Sequence, residues 1–230
     1  MKPALEVLHV DNHVLAVAKP AGIPVAPDES GDESLLDLAR AWIRVEYAKP
    51  GEAFLGLVHR LDRPVSGVVV FGRTSKGASR LSESFRERAA VKRYLGVSAS
   101  RPRGDSGVVE QWLAKDERKN VVRVVRAGDA GAQHAVTRWS VVEERDGRVL
   151  IAFEPETGRP HQLRVAAATL GCPLLGDLKY GAASALPDAS VALHARALDI
   201  AHPTKPERLH LVARVPALPV WRFDATREPS

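Results

Sequence analysis

The chain has 230 residues, 45% hydrophobic and 27% charged, with a formal net charge of +5, which excludes disordered and fibrous classes and allows a substantial core. Its apolar runs, such as Val68–Phe71, fall far short of the roughly 20 residues that cross a bilayer, and Met1–Glu6 lacks the apolar stretch of a secretory signal. A single cysteine, Cys172, excludes an internal disulfide framework, so a cytoplasmic protein is expected. The positive excess is compatible with a polyanion partner, because each phosphate neutralised by Lys or Arg releases counterions. It is equally compatible with an arginine-rich soluble protein that binds no nucleic acid.

Taken in chain order, Leu5–Lys19 is apolar on both sides of Asp11-Asn12-His13, the pattern of a β-hairpin. Pro20–Pro24 breaks it into a loop. Ser34–Tyr47 predicts a helix, with Leu35, Leu38, Ala39, Trp42 and Ile43 at helical spacing and side chains for an N-cap at Asp32 to Ser34. Phe54–His59 and Val65–Gly72 predict strands around His59-Arg60-Leu61-Asp62-Arg63-Pro64. Ser75–Arg88 predicts a second helix, with Leu81 and Phe85 on one face. Val91–Ser98 predicts a strand, and the polar stretch Ser98–Gly107 a mobile loop. Val121–Val125, Ala135–Val142 and Val149–Phe153 predict further valine-rich strands. Thr157–Leu170 predicts a third helix, with Pro160 in its first turn and Gly171 as its stop. Strands around Val191–Ile200 and Leu209–Val215 follow, and Arg227–Ser230 is expected to fray. Strands outnumber helices and many are consecutive, so the expected class is α+β with a mixed, largely antiparallel central sheet and flanking helices.

Several chemistries lack their residues. There is no paired-cysteine or HExxH metal pattern, no phosphate loop, no dinucleotide fingerprint and no G-x-S-x-G. Two polar clusters remain. In Leu57–Gly67, Asp62 has arginines on both sides, and a nearby guanidinium keeps a carboxylate ionised. Such a carboxylate can attack an anomeric carbon; it can equally form a structural ion pair at a turn. In Glu156–Arg164, at the predicted start of the third helix, Arg159 and Arg164 could hold a phosphate or carboxylate, with His161 three residues from Arg164. The alternative is a solvated basic turn, although an arginine there opposes the helix dipole.

Together the clusters are more specific. HRLDRPVSG resembles the HRLD-x-x-x-SG signature of the large-subunit-type (RluA-type) pseudouridine synthases. Val91–Leu95 is similar to that family's K-x-Y strand. TGRPHQLRV, with the LGCPLLGD and Tyr180-Gly181 that follow, resembles its third motif, and Leu193-His194-Ala195 with His202-Pro203 its closing segment. The resemblance runs from the hairpin to about Leu211. Pro160 and Leu163 depart from the usual TGRTHQIR, and a common histidine after the arginine is replaced within Val165–Ala168.

The resemblance implies one pseudouridine synthase catalytic domain over 1–230, without a separate N-terminal RNA-binding domain. It implies isomerisation of uridines in ribosomal or transfer RNA, without metal, nucleotide or other cofactor, by a monomer. Asp62 would be the catalytic carboxylate, attacking the ribose C1′ or assisting departure of uracil. Tyr94 would face the base and could take the C2′ proton. Arg164 would pair with Asp62. The uridine must be flipped out, and Arg60 could stack in the vacated space. Arg63, Arg159, His161 and Lys92 would be RNA contacts. Arg101, Arg103, Lys115, Arg118 and Lys119 could track phosphates. A non-catalytic RNA-binding or ribosome-assembly factor on the same fold is the alternative.

Overall fold

A computed structural model describes residues 5–48 and 50–224, so the terminal Arg227–Ser230 lies outside the described residues. The chain divides into two compact units, the residues up to Val91 with Ala195–Pro216, and Lys92–His194 with the residues from Ala217.

The first unit opens on the expected hairpin, β1 (Glu6–Val10) and β2 (Val14–Lys19), antiparallel. Asp11 closes its turn: Oδ1 accepts from the backbone N–H groups of His13 and Val14 at 2.7 and 2.8 Å. The same carboxylate clamps the other end of the unit. Its Oδ2 accepts from His202 Nε2 at 2.6 Å, while His202 Nδ1 accepts from the backbone N–H groups of Thr204 and Lys205.

Helix α1 (Leu35–Glu46) starts at a capping box, in which Ser34 accepts from Asp37 N and Asp37 reaches back to Ser34 N. A cap of this kind contributes about 1 kcal/mol. The predicted strand Phe54–His59 shrinks to β3 (Gly56–Leu57), which pairs with β4 (Ser66–Gly72). Helix α2 (Ser75–Arg86) is capped by Thr74. Strands β10 (Leu193–Ala201) and β11 (Arg208–Val212) pair antiparallel. The core collects Val14, Ala16, Val68, Val70, Leu81, Leu198, Ile200 and Leu211 from five of these elements.

The second unit is an antiparallel ladder in the order β5 (Val91–Ser98), β9 (Arg148–Pro155), β8 (Gln133–Arg145), β6 (Ser106–Asp116), β7 (Val121–Val125). Strand β6 was not predicted, and it takes the last two residues of the predicted loop Ser98–Gly107. The rest of that loop is tied down by Arg101, which pairs with Asp105 and Glu144. Helix α3 (Gln162–Thr169) lies on the ladder through Val165, packed with Leu113, Val122 and Ala135. The helix begins five residues later than expected. It ends as predicted at Gly171 (φ 73°), where Cys172 N bonds Ala167 O and Gly171 N bonds Ala168 O. The fold class is α+β, as the sequence predicts. No helix among the described residues is long and apolar enough to cross a membrane.

Candidate active site

In the first unit, the stretch between β3 and β4 carries His59, Arg60, Asp62 and Arg63. Three anchors fix it. His59 Nε2 accepts from Val70 N at 3.0 Å, and its ring stacks on Phe85 at 4.5 Å. Leu61 is buried as a plug. Asp62 O accepts from Val65 N at 3.0 Å, closing a turn around Pro64. This arrangement leaves the Asp62 side chain half-buried and Arg60 exposed. The guanidinium of Arg63 turns to the 28–32 loop, donating to Ser30 Oγ at 2.7 Å and Asp32 Oδ2 at 2.6 Å.

Beneath Arg63 is a residue that sequence reasoning missed. Lys19, 1% exposed, donates to the carbonyls of Pro20, Ile23 and Arg63 at 2.9, 2.8 and 3.0 Å. Three acceptors saturate the three N–H bonds of an ammonium, so the geometry suits the cation. Burial opposes it and pulls the Lys19 ammonium down to about 7; the charge of Asp62 supports the cation, and that of Arg63 works against it. Lys19 therefore ties the backbone of Arg63, next to Asp62, to the end of β2.

A lysine that loses its proton more readily when folded makes the folded state less proton-rich than the unfolded one between about 7 and 10.5. Stability from this group accordingly rises with pH across that window. Each pH unit is worth at most about 1.4 kcal/mol. Urea midpoints measured near pH 7 and near pH 9 are expected to show this rise in the parent protein and its absence in Lys19→Met. Cys172, whose buried thiol is pushed up to about 11, acts in the opposite sense above pH 9, so the variant is compared with the parent. Equal slopes would refute the assignment.

In the second unit, alternation along β5 sends Lys92 and Tyr94 to one face and Arg93 to the other, where Arg93 meets Glu154 at 3.7 Å. Tyr94 is opposite Phe153, which is opposite Trp139; Thr137 and Ala135 continue that face. Because α3 packs on Ala135, it covers the face that bears Tyr94. Lys92 Nζ reaches Thr157 O at 3.2 Å, just ahead of α3.

The segment Thr157–His161, predicted as a helical turn, is a loop instead. His161 has a left-handed backbone (φ 50°), which ends any helix before it. Gln162 takes over the work of a cap. Its Oε1 accepts from Arg159 N and Thr157 Oγ1, and its Nε2 donates to Val136 O and Thr137 Oγ1. The Arg159 N–H is thus occupied, and Arg159 Nε donates to His134 O. His161 Nδ1 is 2.6 Å from the hydroxyl of Tyr180. Arg164, in the first turn of α3, is buried and forms a two-pronged pair with Asp177. Structure thus brings Lys92, Tyr94, Arg159, His161 and Arg164 into one unit, and Arg60, Asp62 and Arg63 into the other.

Residues 13–169 match the family model described as RNA pseudouridylate synthase. The chain belongs to this family. An RNA pseudouridine synthase of Zymomonas mobilis is 38% identical over 86% of this chain and 88% of its own. The ribosomal large subunit pseudouridine synthase D of Xylella fastidiosa is 32% identical over 98% of this chain and 70% of its own. Among solved structures, human RNA pseudouridylate synthase domain containing 4 is 30% identical, covers 92% of this chain and 89% of that one, and superposes with a TM-score of 0.77. The large-subunit-type resemblance read from the motifs is supported by these relatives, and the protein is an RNA pseudouridine synthase, an isomerase acting on uridine in RNA.

Proposed function

We propose that this synthase isomerises one or a few uridines of ribosomal RNA, with Asp62 as its catalytic carboxylate and Tyr94 and Arg164 completing the catalytic set. The observation that carries the choice of Asp62 is the way its loop is built. His59, Leu61, Lys19 and the Asp62–Val65 turn each fix the backbone around it, at a residue that stays half-buried rather than sealed in the core. A fixed carboxylate can act at an anomeric carbon, as nucleophile or by stabilising the departing base. In the isomerisation the C1′–N1 bond breaks and a C1′–C5 bond forms. The proton displaced from C5 leaves, N1 regains one, and no oxidant or reductant enters. Ribosomal RNA is favoured over transfer RNA because the Xylella relative is named for the large ribosomal subunit and aligns over nearly the whole chain.

Arg60, exposed two residues before Asp62, suits the place left by a flipped uridine, since a guanidinium plane stacks as a base does. Lys92, Arg159 and His161 would contribute RNA contacts on the second unit. Arg63 is assigned to holding the 28–32 loop, because its charge is already balanced by Asp32.

The test is pseudouridine mapping of total RNA from cells lacking the gene, then restored with the parent protein or Asp62→Ala. Loss of one or a few ribosomal sites, restored only by the parent, is the expected result. Sites lost from transfer RNA would replace the substrate assignment, and restoration by Asp62→Ala would end the catalytic one.

A further inference from the structure

Arg164 is held from two sides within the second unit. Asp177 takes one edge of the guanidinium, Nε to Oδ2 and Nη2 to Oδ1, both at 2.7 Å. The side chains of the pair are 6% and 1% exposed. The ring of Tyr180 lies against its face, 5.0 Å from ring centre to guanidinium carbon. Tyr180 is itself fixed, since its hydroxyl accepts from Val122 N at 2.9 Å and meets His161 Nδ1 at 2.6 Å. Asp177 has no freedom to move either: its N–H bonds Leu174 O, and its carbonyl accepts from Tyr180 N and Ala182 N.

Stability does not explain this arrangement. Desolvating two charges costs as much as their attraction returns, and buried pairs are often replaceable by apolar side chains of similar volume without loss. The arginine also sits in the first turn of α3, where its charge opposes the helix dipole. What a two-pronged pair does supply is orientation, since the planar fork is fixed in angle as well as in place.

We infer that Asp177 is a positioning residue for catalysis, holding the guanidinium of Arg164 in its working orientation against the wall made by Tyr180. The inference rests on the reading of Arg164 as part of the catalytic set. Asp177 lies thirteen residues beyond Arg164, in the turn before Leu178–Tyr180, and acts only through the arginine.

Asp177→Asn keeps the shape and one acceptor but removes the charge and the second prong. A misplaced catalytic group loses about 100-fold in rate. The experiment measures the single-turnover rate, by release of tritium from uridine labelled at C5, alongside the RNA dissociation constant. Asp177→Asn, Arg164→Met and the double variant are compared with the parent. Asp177→Asn is expected to slow the reaction about 100-fold with RNA affinity unchanged, and to cost nothing further in the Arg164→Met background. A purely structural aspartate would instead slow both backgrounds alike, which overturns the inference, as does a parental rate in Asp177→Asn. Parental turnover by Arg164→Met would refute the Arg164 reading itself. A slow Arg164→Met beside a fast Asp177→Asn would refute only the role of Asp177. Should Asp177→Asn fail to fold, Asp177→Glu keeps the charge at a shifted reach, and the same rate loss with unchanged affinity is expected of it.

Discussion

Replacing Asp62 by asparagine is expected to abolish pseudouridine formation by the purified protein while leaving its affinity for RNA intact or slightly improved. Removing the reacting group of a covalent catalyst lowers turnover on the order of 10^4-fold or more. Asparagine is nearly isosteric, and His59, Leu61 and backbone groups anchor the loop. Binding should persist because the variant removes a negative charge facing a polyanion, and phosphate contacts supply most of the affinity. Single-turnover kinetics with a filter-binding isotherm over several salt concentrations separates the two. A loss of affinity equal to the loss of rate would show that Asp62 binds rather than reacts. The variant carries a second signature. Asp62 is the charge that supports the Lys19 ammonium, so Asp62→Asn should lower the pH at which Lys19 sheds its proton.

The largest effect on stability is expected at Gly67, five residues beyond Asp62. Its φ is +121°, and a Cβ there would stand 2.3 Å from Ala195 O and 2.5 Å from Ala195 N. Both are backbone atoms, so nothing can rotate away. A left-handed backbone costs a residue with a side chain roughly 1–2 kcal/mol, and overpacking against a rigid neighbour adds roughly 1–3 kcal/mol. At about 2–4 °C per kcal/mol, Gly67→Ala should lower the melting temperature on the order of 10 °C. Gly31→Ala is the control: its φ of +73° is also left-handed, but no atom lies within 4 Å of the added carbon. Calorimetry of the two variants isolates the clash. Equal melting temperatures would mean that β4 and β10 can separate at that point without loss.

How much of this was legible beforehand depends on where the partners of each residue lie. The hairpin at Asp11, the helix capped at Ser34 and strand Val91–Ser98 were legible because their determinants are local, a turn, a cap and a valine-rich run. Strand β6 was missed because Gln111, 8% exposed, occupies an inward position. A polar residue there hides the two-residue period that Val109 and Leu113 would otherwise show. The start of α3 was misplaced because Pro160 suits a first turn, whereas the decisive features are the left-handed His161 and the side-chain bonds of Gln162. Asp62 and Arg164 stood out in two polar clusters, while the resemblance gave them their catalytic roles and alone singled out Tyr94. Their supports did not stand out. Lys19 bonds only backbone carbonyls, which have no sequence signature, and Asp177 meets Arg164 through a fold rather than through a helix repeat.

The division of the chain has a consequence for its synthesis. The first unit is interrupted: its opening strands end by Val91, and β11, with most of β10, arrives only with Ala195–Pro216. The clasp between Asp11 and His202 joins residues 191 positions apart. On a ribosome adding roughly 5–20 residues per second, the hairpin and β4 must wait on the order of 5–20 s for the strands that finish their sheet. Throughout that interval Val68 and Val70 lack Leu198 and Ile200 as core partners, and an apolar strand edge awaiting its neighbour is a site for misassociation. The unit encoded in between suffers no such delay for its ladder, since β5 to β9 follow one another in sequence. Translation therefore imposes an order, the ladder of the second unit before the sheet of the first, and the nascent first unit is the stage at which a chaperone holding exposed strands would have most to do.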